Sequence, residues 1–395
     1  MGMIINIDQA LKNHAHFNVL GEPLHQMLKD RQEAWERENP IDLLYNRGTI
    51  STFQETYTSS IGFAHAFAET GDYAVGPIFN TAPGFSATYT TRTFQGGFII
   101  SQQVLEDRQI GKVKDDAQAF QRRWHADIVE YCMKALEGAF GSPTVWNPTG
   151  KEQDKSVIQL YSADTTNGKI ATQTKNPLFT KSHKTVDRED GTSVKTQSNM
   201  FFIKNIDLAG NDGGKIAKLA DGINQVITTM ENYYDDNGKI AGVLGAKTIV
   251  APNDAHLKAA LTNALQTDVF KQGESMNANP AYQRATLATT AYLNDIAPCT
   301  GGAGFFIVDK AYNAENHGLE FTERVPFTLD ATETKRPKGI TYDGRQRFDV
   351  NCASWRGIVY VRIKTGTGDY DTTESTGKFT TITPTATTAY ATTTA

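Results

Sequence analysis

The chain has 395 residues, of which 39% are hydrophobic and 21% charged, a balance that is typical of folded globular proteins and excludes an intrinsically disordered chain. The formal net charge of -5 disfavours tight binding to phosphate backbones, which requires a basic surface. No apolar run approaches the ~20 residues of a membrane-spanning helix, and the N-terminus lacks the basic and apolar regions of a signal peptide.

The N-terminal third predicts an arm followed by a long β-hairpin. Residues 1–52 contain one amphipathic helical stretch that ends at an Asn-Pro pair. The segment 73–105 then carries a single charged side chain, Arg92. Within it, FSATYTTRTF (85–94) alternates apolar and polar residues with the period of a strand, and a Pro-Gly pair predicts a turn near residues 80–84.

This hairpin is expected to need a partner. A two-stranded ribbon alone in water is marginally stable, and its neutral, aromatic surface is typical of protein contacts. We therefore expect it to pack on another protein molecule. The alternative is a hairpin that folds back on its own body.

Residues 112–140 predict a long amphipathic helix. Apolar side chains recur every three to four positions, which is the spacing of one buried helix face. The expected core residues of this helix are Val113, Phe120, Trp124, Ile128 and Leu136.

The remaining chain predicts an α+β body. One further helix and two buried strands are indicated by their periodicity and apolar runs: KIAKLADGINQVITTMENYY (215–234), TIVAP (248–252) and GFFIVD (304–309). A third helix follows TIVAP, and the pattern is β-like again over 318–363, where TYDGRQ (341–346) offers an Asp-Gly turn. The uncharged Thr/Ala-rich stretch 380–395 predicts either disorder or an extended strand that needs a partner.

Motifs for catalysis, cofactors and metals are missing from the sequence. The Gly-Gly-Lys of AGNDGGKIA (209–217) departs from a phosphate-binding loop, because Ala209 replaces the first glycine and Ile216 replaces the magnesium-binding hydroxyl. Cys132, Cys299 and Cys352 are too widely spaced for a zinc site. We therefore predict no catalytic, cofactor-binding or metal site and no enzyme activity.

Four stretches resemble, in the same order, the major capsid proteins of tailed phages with the Hong-Kong-97-type fold. FQGGFIISQQVLEDRQIG (94–111) resembles the entry to that family's spine helix, and NPLFTKSHKT (176–185) is similar to a loop of its Mu-like and related subgroup. TIVAPNDAHLKAALTNAL (248–265) resembles the strand and helix of its axial domain, and DVNCASWRGIVYV (349–361) is similar to the closing strand of its peripheral domain.

The resemblance implies an α+β fold with a long spine helix, a peripheral domain, an axial domain and an extended β-hairpin loop. The implied parts are an N-terminal arm (1–52), the extended loop (53–103), a peripheral domain (104–150 and 318–367, with spine helix 112–140), an axial domain with connecting loops (151–317) and a Thr-rich C-terminal tail (368–395).

It also implies that the extended loop lies over a neighbouring subunit. The expected contact residues are Tyr73, Ile78, Phe79, Phe85, Tyr89, Arg92 and Phe94. Some relatives cross-link this loop through a lysine, but no lysine occurs between Lys29 and Lys112, so we expect no isopeptide bond there. About 50 residues precede the loop, and we expect no long N-terminal scaffolding segment.

The function implied by the resemblance is structural. Copies would form pentamers and hexamers that assemble in the host cytoplasm into the icosahedral shell of a virion. That shell would enclose double-stranded DNA without sequence-specific binding, cofactor or membrane, and scaffold, portal and decoration proteins are candidate partners. The alternatives are an encapsulin-type nanocompartment shell, a tail or baseplate protein, and a soluble enzyme with the hairpin as its lid.

Overall fold

The chain has a mixed α+β fold in the computed structural model. The structure describes residues 35, 39–60, 68–70, 76–78, 83–101, 103, 110–160, 177–186, 194–203, 206, 213–235, 238–272, 275–302, 304–335, 338–363, 379–382 and 384. The helices in these ranges are α1 (Ile110–Gly138), α2 (Gly213–Glu231), α3 (Ala255–Gln266) and α4 (Lys310–Glu315). The strands are β1 (Asn46–Thr49), β2 (Gln54–Ser60), β3 (Pro83–Thr90), β4 (Arg92–Ser101), β5 (Thr144–Trp146), β6 (Ser156–Ile158), β7 (His183–Val186), β8 (Val194–Gln197), β9 (Met200–Ile203), β10 (Lys247–Pro252), β11 (Val269–Gln272), β12 (Ser275–Ala278), β13 (Ala285–Thr290), β14 (Gly304–Asp309), β15 (Leu319–Lys335), β16 (Lys338–Cys352), β17 (Ile358–Ile363) and β18 (Thr380–Ile382).

The long helix α1 packs on a four-stranded sheet of order β1-β15-β16-β4. Strands β15 and β16 form an antiparallel hairpin, and β4 pairs antiparallel with β16 from Arg92↔Phe348 to Ser101↔Gly339. A hydrogen bond of 2.9 Å joins the helix to the sheet, with the Trp124 indole N–H donating to Gln346 Oε1. The long helix predicted over 112–140 is therefore present, beginning two residues earlier and ending two residues earlier.

The Asp-Gly turn predicted within 341–346 is wrong. Asp343 and Gly344 lie inside strand β16, where they pair with Asp330 and Leu329 of β15. A Cβ atom at position 344 would lie 3.0 Å from the Phe327 ring. The glycine thus serves close packing between strand and aromatic ring, a second common role of glycine within strands.

A second, six-stranded sheet has the order β13-β10-β14-β17-β9-β18. The buried strands predicted at 248–252 and 304–309 are confirmed as β10 and β14, and both are buried along most of their length. The helices predicted at 215–234 and after TIVAP are confirmed as α2 and α3. Helix α3 is capped by Asp254, whose carboxylate accepts from the Leu257 N–H at 2.8 Å.

Both ends of the predicted layout are only partly described. Of the helix predicted within the N-terminal arm, Trp35 is described, and its ring stacks on His125 of α1 at a centroid distance of 4.1 Å. The rest of that helix lies outside the described residues. Near the C-terminus, residues 380–382 of the Thr/Ala-rich stretch form β18, which pairs parallel with β9 of the same chain.

Candidate assembly surface

The polar, charge-poor segment forms a two-stranded ribbon with a partner that the sequence analysis did not identify. Strand β3 pairs antiparallel with β2, from Gln54↔Thr90 to Ser60↔Pro83. Pro83 and Gly84 of the turn predicted near residues 80–84 begin strand β3 instead, and residues 80–82 lie outside the described residues. The chain between Ser60 and Pro83 makes the connection, and its described residues 68–70 and 76–78 are all exposed.

The root of the ribbon is fixed by aromatic contacts to the turn that follows α4. Tyr89 is only 1% exposed, and its hydroxyl donates to the His317 carbonyl at 3.1 Å. The Tyr57 ring lies between them, 4.6 Å from Tyr89 and 4.3 Å from His317 in centroid distance. Burial raises the pKa of the Tyr89 phenol, so this hydroxyl stays a donor at all ordinary pH values.

The turn that receives the ribbon is itself anchored in the core. The His317 carbonyl also accepts from the backbone N–H groups of Ala353 and Ser354, at 2.8 and 3.1 Å. Helix α4, which leads into this turn, is capped by Asp309, which accepts from the Tyr312 N–H at 3.0 Å. The same carboxylate forms a fully buried ion pair with Lys247 at 2.7 Å. The ribbon is thus attached to a rigid point of the body.

Arg92, the lone charge of the segment, has an intrachain partner. Its Nε donates to Asp349 Oδ2 at 3.1 Å, and its Nη2 donates to the Val157 carbonyl at 2.8 Å. The other oxygen of Asp349 accepts from the Tyr131 hydroxyl and the Val350 N–H, each at 2.8 Å. Burial raises the pKa of Asp349, and the Arg92 guanidinium opposes that rise. This ion pair therefore joins β4, β16, α1 and β6.

Phe94 lies in an aromatic cluster of the body. Its ring stacks on Phe348 at 4.5 Å and meets the edges of Tyr131 and Trp146 at 5.1 and 6.0 Å. Such pairs each add about 0.5–1.5 kcal/mol beyond area burial. Phe94 and Arg92 thus have contacts within their own chain, and their expected contact with a neighbouring subunit stays a prediction. For Tyr89 that expectation is wrong, because the side chain is buried in its own molecule.

The other expected contact residues are placed differently. Ile78 is 89% exposed, more than any other large hydrophobic side chain among the described residues. Phe53, at the base of the ribbon, is 57% exposed, and the sequence analysis missed it. Tyr73 and Phe79 lie outside the described residues, as does the side chain of Phe85, whose backbone is in β3.

The five residues expected to form the core face of α1 are buried to different extents. Val113, Ile128 and Leu136 are at most 4% exposed. Phe120 and Trp124 are partly buried, with ring centroids 5.8 Å apart, and Trp124 lies 5.0 Å from Phe327. Beside them, α1, β4 and the β5–β6 hairpin enclose an open groove of about 520 Å³ with an aromatic floor.

Among the described residues, no three His, Cys, Asp or Glu side chains are grouped to hold a metal ion. The three cysteines are buried, and burial raises the pKa of the Cys299 thiol to about 12, which makes it a poor nucleophile. No helix in the described ranges has the length and apolar character to cross a bilayer.

Comparisons with known proteins give likenesses of fold alone. No family model matches the chain, and no curated protein matches it. A chain in the satellite phage P4 procapsid that includes the size determination protein is 12% identical, with a TM-score of 0.43 over 91% of this chain and 98% of that chain. A chain from Mycobacterium phage Patience is 12% identical, with a TM-score of 0.43 over 92% and 90%. A chain of the bacteriophage PhiM1 mature capsid is 11% identical, with a TM-score of 0.42 over 81% and 85%. Because these TM-scores lie below 0.5, the functional conclusion depends on the residues and geometry of this chain.

Proposed function

We propose that this chain is a tailed-phage major capsid protein of the Hong-Kong-97 type, in or near the Mu-like subgroup. Copies assemble through pentamers and hexamers into an icosahedral shell that encloses double-stranded DNA. The protein acts as a structural subunit of the virion, assembled in the host cytoplasm, and is not an enzyme. Scaffold, portal and decoration proteins are its expected further partners.

The observation that carries the proposal is a ribbon with a rigid root and an exposed outer part. Tyr89 and Arg92 fix its root in the body, whereas Ile78 beyond the ribbon is 89% exposed. An exposed ribbon whose outer stretch from residue 73 to residue 91 carries no charge and which presents large apolar side chains is a liability for a free monomer. Contact with another copy of the chain would bury these apolar side chains. The extended loop that contacts a neighbour is accordingly reduced to about residues 53–88, with Ile78 and Phe53 as its described contact residues.

The order of the elements supports the same proposal. A ribbon leads through an edge strand into a long helix, which packs on a long β-hairpin, and a separate six-stranded sheet carries two helices. This is the order that three of the four resembling stretches imply for a capsid subunit, whereas the fourth, 349–361, ends in β17 of the six-stranded sheet and not beside α1. A head-to-tail contact between copies closes into rings when the rotation between them is a whole fraction of a turn.

Electrostatics are compatible with a container for DNA. The formal net charge of -5 gives no general attraction to phosphates, so a packaged genome is not held by a uniformly basic lining. The ribbon region has no lysine from residue 30 to residue 111. Shell strength in this protein therefore comes from packing and not from a covalent cross-link through that loop.

The experiment that tests the proposal shortens the ribbon without touching its root. Residues 61–82 are replaced by Asn-Gly, which joins Ser60 to Pro83 as a two-residue hairpin turn. We expect the variant subunit to keep the unfolding midpoint of the parent and to form no closed shells by negative-stain microscopy and sedimentation. A deletion that extends to residue 94 is unsuitable, because it removes Tyr89 and Phe94 from the core.

A point variant provides a matched control at one position. Ile78→Asp places a charge on the exposed end of the ribbon and should abolish assembly, whereas Ile78→Val keeps the apolar contact and should preserve it. Neither substitution should change subunit stability, since the side chain is exposed. Closed shells from both the shortened ribbon and Ile78→Asp would contradict the proposal, as would a parent protein that never forms shells with or without a scaffold.

A further inference from the structure

Within the part of the chain that the structure describes, strand β13 forms an unpaired edge of the six-stranded sheet. Ala285–Thr290 is hydrogen-bonded to β10 on one side, and no described backbone group bonds to it on the other side. The strand, ATLATT, contains no charge, proline or glycine. Natural proteins usually protect an edge with lysine, proline or a bulge, so a six-residue edge without any of them indicates a strand-pairing site.

The opposite edge of the same sheet is formed by β18, the last described strand of the chain. Strand β18 pairs with β9 there, and Phe379 anchors it against Tyr360 and Phe202, with ring centroids 6.1 and 6.4 Å apart. The chain continues past the buried Pro384 into TATTAYATTTA, residues 385–395, which carries no charge. Its threonines favour extended backbone, but its few apolar atoms cannot form a core of their own.

Residues 385–395 are too few to cross their own sheet and also pair with all six residues of β13. Five strand spacings separate β18 from β13 in a six-stranded sheet, which amounts to ~24 Å. If six residues of 385–395 pair with β13, five remain for the crossing, and these span at most ~18 Å even when fully extended. Pairing of these residues along the whole of β13 therefore requires two copies of the chain.

We propose that residues 385–395 of one copy add as a strand to β13 of the next copy. The donor follows one edge of the sheet and the acceptor lies at the opposite edge, so the contact is head-to-tail, the type that closes into a ring when the rotation between copies is a whole fraction of a turn. Backbone hydrogen bonds supply the affinity, and both partners are rich in threonine. Thr286 of β13 already makes such a cross-strand contact, since its hydroxyl lies 3.2 Å from that of Thr248. The inference rests on the proposed ring-forming function.

The test is chemical cross-linking between two variants that each carry one new cysteine. Thr286→Cys places a thiol on the exposed face of the acceptor strand, and Tyr390→Cys places one in the donor. The native cysteines are at most 3% exposed and do not compete for a short bismaleimide. The two variants are mixed before assembly, and the shells are treated with the reagent and separated on a denaturing gel.

We expect a covalent dimer that contains one chain of each variant. The dimer should be lost when Thr286→Cys is replaced by Glu152→Cys, whose parent side chain is 83% exposed and lies beside β6, outside the six-stranded sheet. A chain that carries both Thr286→Cys and Tyr390→Cys should form ladders between chains. Closure within single chains would overturn the proposal, as would an equally strong dimer from the Glu152→Cys control.

Microscopy of the same samples separates this inference from the proposed function. Closed shells without the mixed dimer would overturn the tail contact and leave the capsid function in place. Small oligomers that give the mixed dimer but never close into shells would support the tail contact and contradict the capsid function. Samples with neither shells nor dimers would contradict both.

Discussion

Replacement of Arg92 by methionine tests whether the lone charge of the segment acts inside its own chain. The substitution keeps most of the aliphatic stem and removes the partner of Asp349, whose side chain is 8% exposed. Breaking a buried ion pair costs about 3–5 kcal/mol, whereas exposed pairs contribute about 0–1 kcal/mol. Because the Arg92 side chain is 38% exposed, we expect an intermediate loss of about 2 kcal/mol in the free energy of unfolding.

The measurement is urea unfolding of the unassembled subunit, followed by tryptophan fluorescence. The matched control is Arg47→Met, since Arg47 pairs with Asp42 at 2.9 Å but both side chains are about 40% exposed. That control should change the free energy of unfolding by less than about 1 kcal/mol. Adding Asp349→Asn to Arg92→Met removes the uncompensated charge and should recover about half of the loss, because a buried unpaired charge is the costly element.

The pH dependence of the stability difference between the parent and Arg92→Met shows whether the unpaired charge of Asp349 causes the loss. Burial holds the pKa of Asp349 above its ordinary value, and Arg92 opposes that rise, so Arg92→Met raises the pKa further. A carboxyl with a raised folded-state pKa destabilises the fold once pH exceeds its unfolded value, and this penalty disappears in acid. The difference between parent and variant should therefore be larger at pH 8 than at pH 4.5. An equal difference at both pH values would refute the ion-pair explanation and leave only lost packing.

Three further predictions concern the body that holds the ribbon. Gly344→Ala should lower the melting temperature through a cost of about 1–3 kcal/mol, because the added carbon crowds an aromatic ring, whereas Gly76→Ala, with no neighbour within 4 Å, should leave it unchanged. Trp124→Ala should cost about 2–4 kcal/mol in urea unfolding through lost ring contacts and a lost hydrogen bond; an unchanged midpoint would show that α1 does not pack as described. Burial lowers the pKa of His183 to about 3, so its stabilising effect is full above pH ~6.5 and declines toward pH 3 by up to ~1.4 kcal/mol per pH unit; a parent and a His183→Gln variant with parallel stability profiles from pH 7 to 5 would contradict this.

Local sequence patterns were sufficient to predict the helices and strands that have a regular apolar face or are buried along their whole length. The helix α1 follows from apolar spacing alone, and β10 and β14 are apolar runs too short for a typical helix, which favours a buried strand. Asp343-Gly344 misled the prediction because the same dipeptide that forms tight turns also leaves room for a ring packed on a strand. Nothing in the sequence near residue 344 shows that Phe327 lies above it.

The site was harder to predict because its contacts join distant residues. Strand β2, with the sequence QETYTSS, carries little apolar alternation, so its pairing with β3 has no local signal. Arg92 and Asp349 are separated by 257 positions, and a single sequence does not show which buried carboxylate a lone arginine meets. The turn at His317 that accepts Tyr89 is fixed by tertiary contacts alone.

The low charge of the segment 73–105 has two causes that a sequence cannot separate. From Tyr89 to Ile100 the chain alternates between core and solvent, with Tyr89, Thr91 and Ile100 at most 4% exposed, so a charge there would need a buried partner, as Arg92 has. Beyond the root, at Ile78, the chain is exposed and its neutrality has no explanation within the monomer. Selection against charge in that outer part is expected only if another surface covers it. The interpretation of this protein as a shell subunit therefore depends on the outer residues 73–82 and not on the whole charge-poor segment.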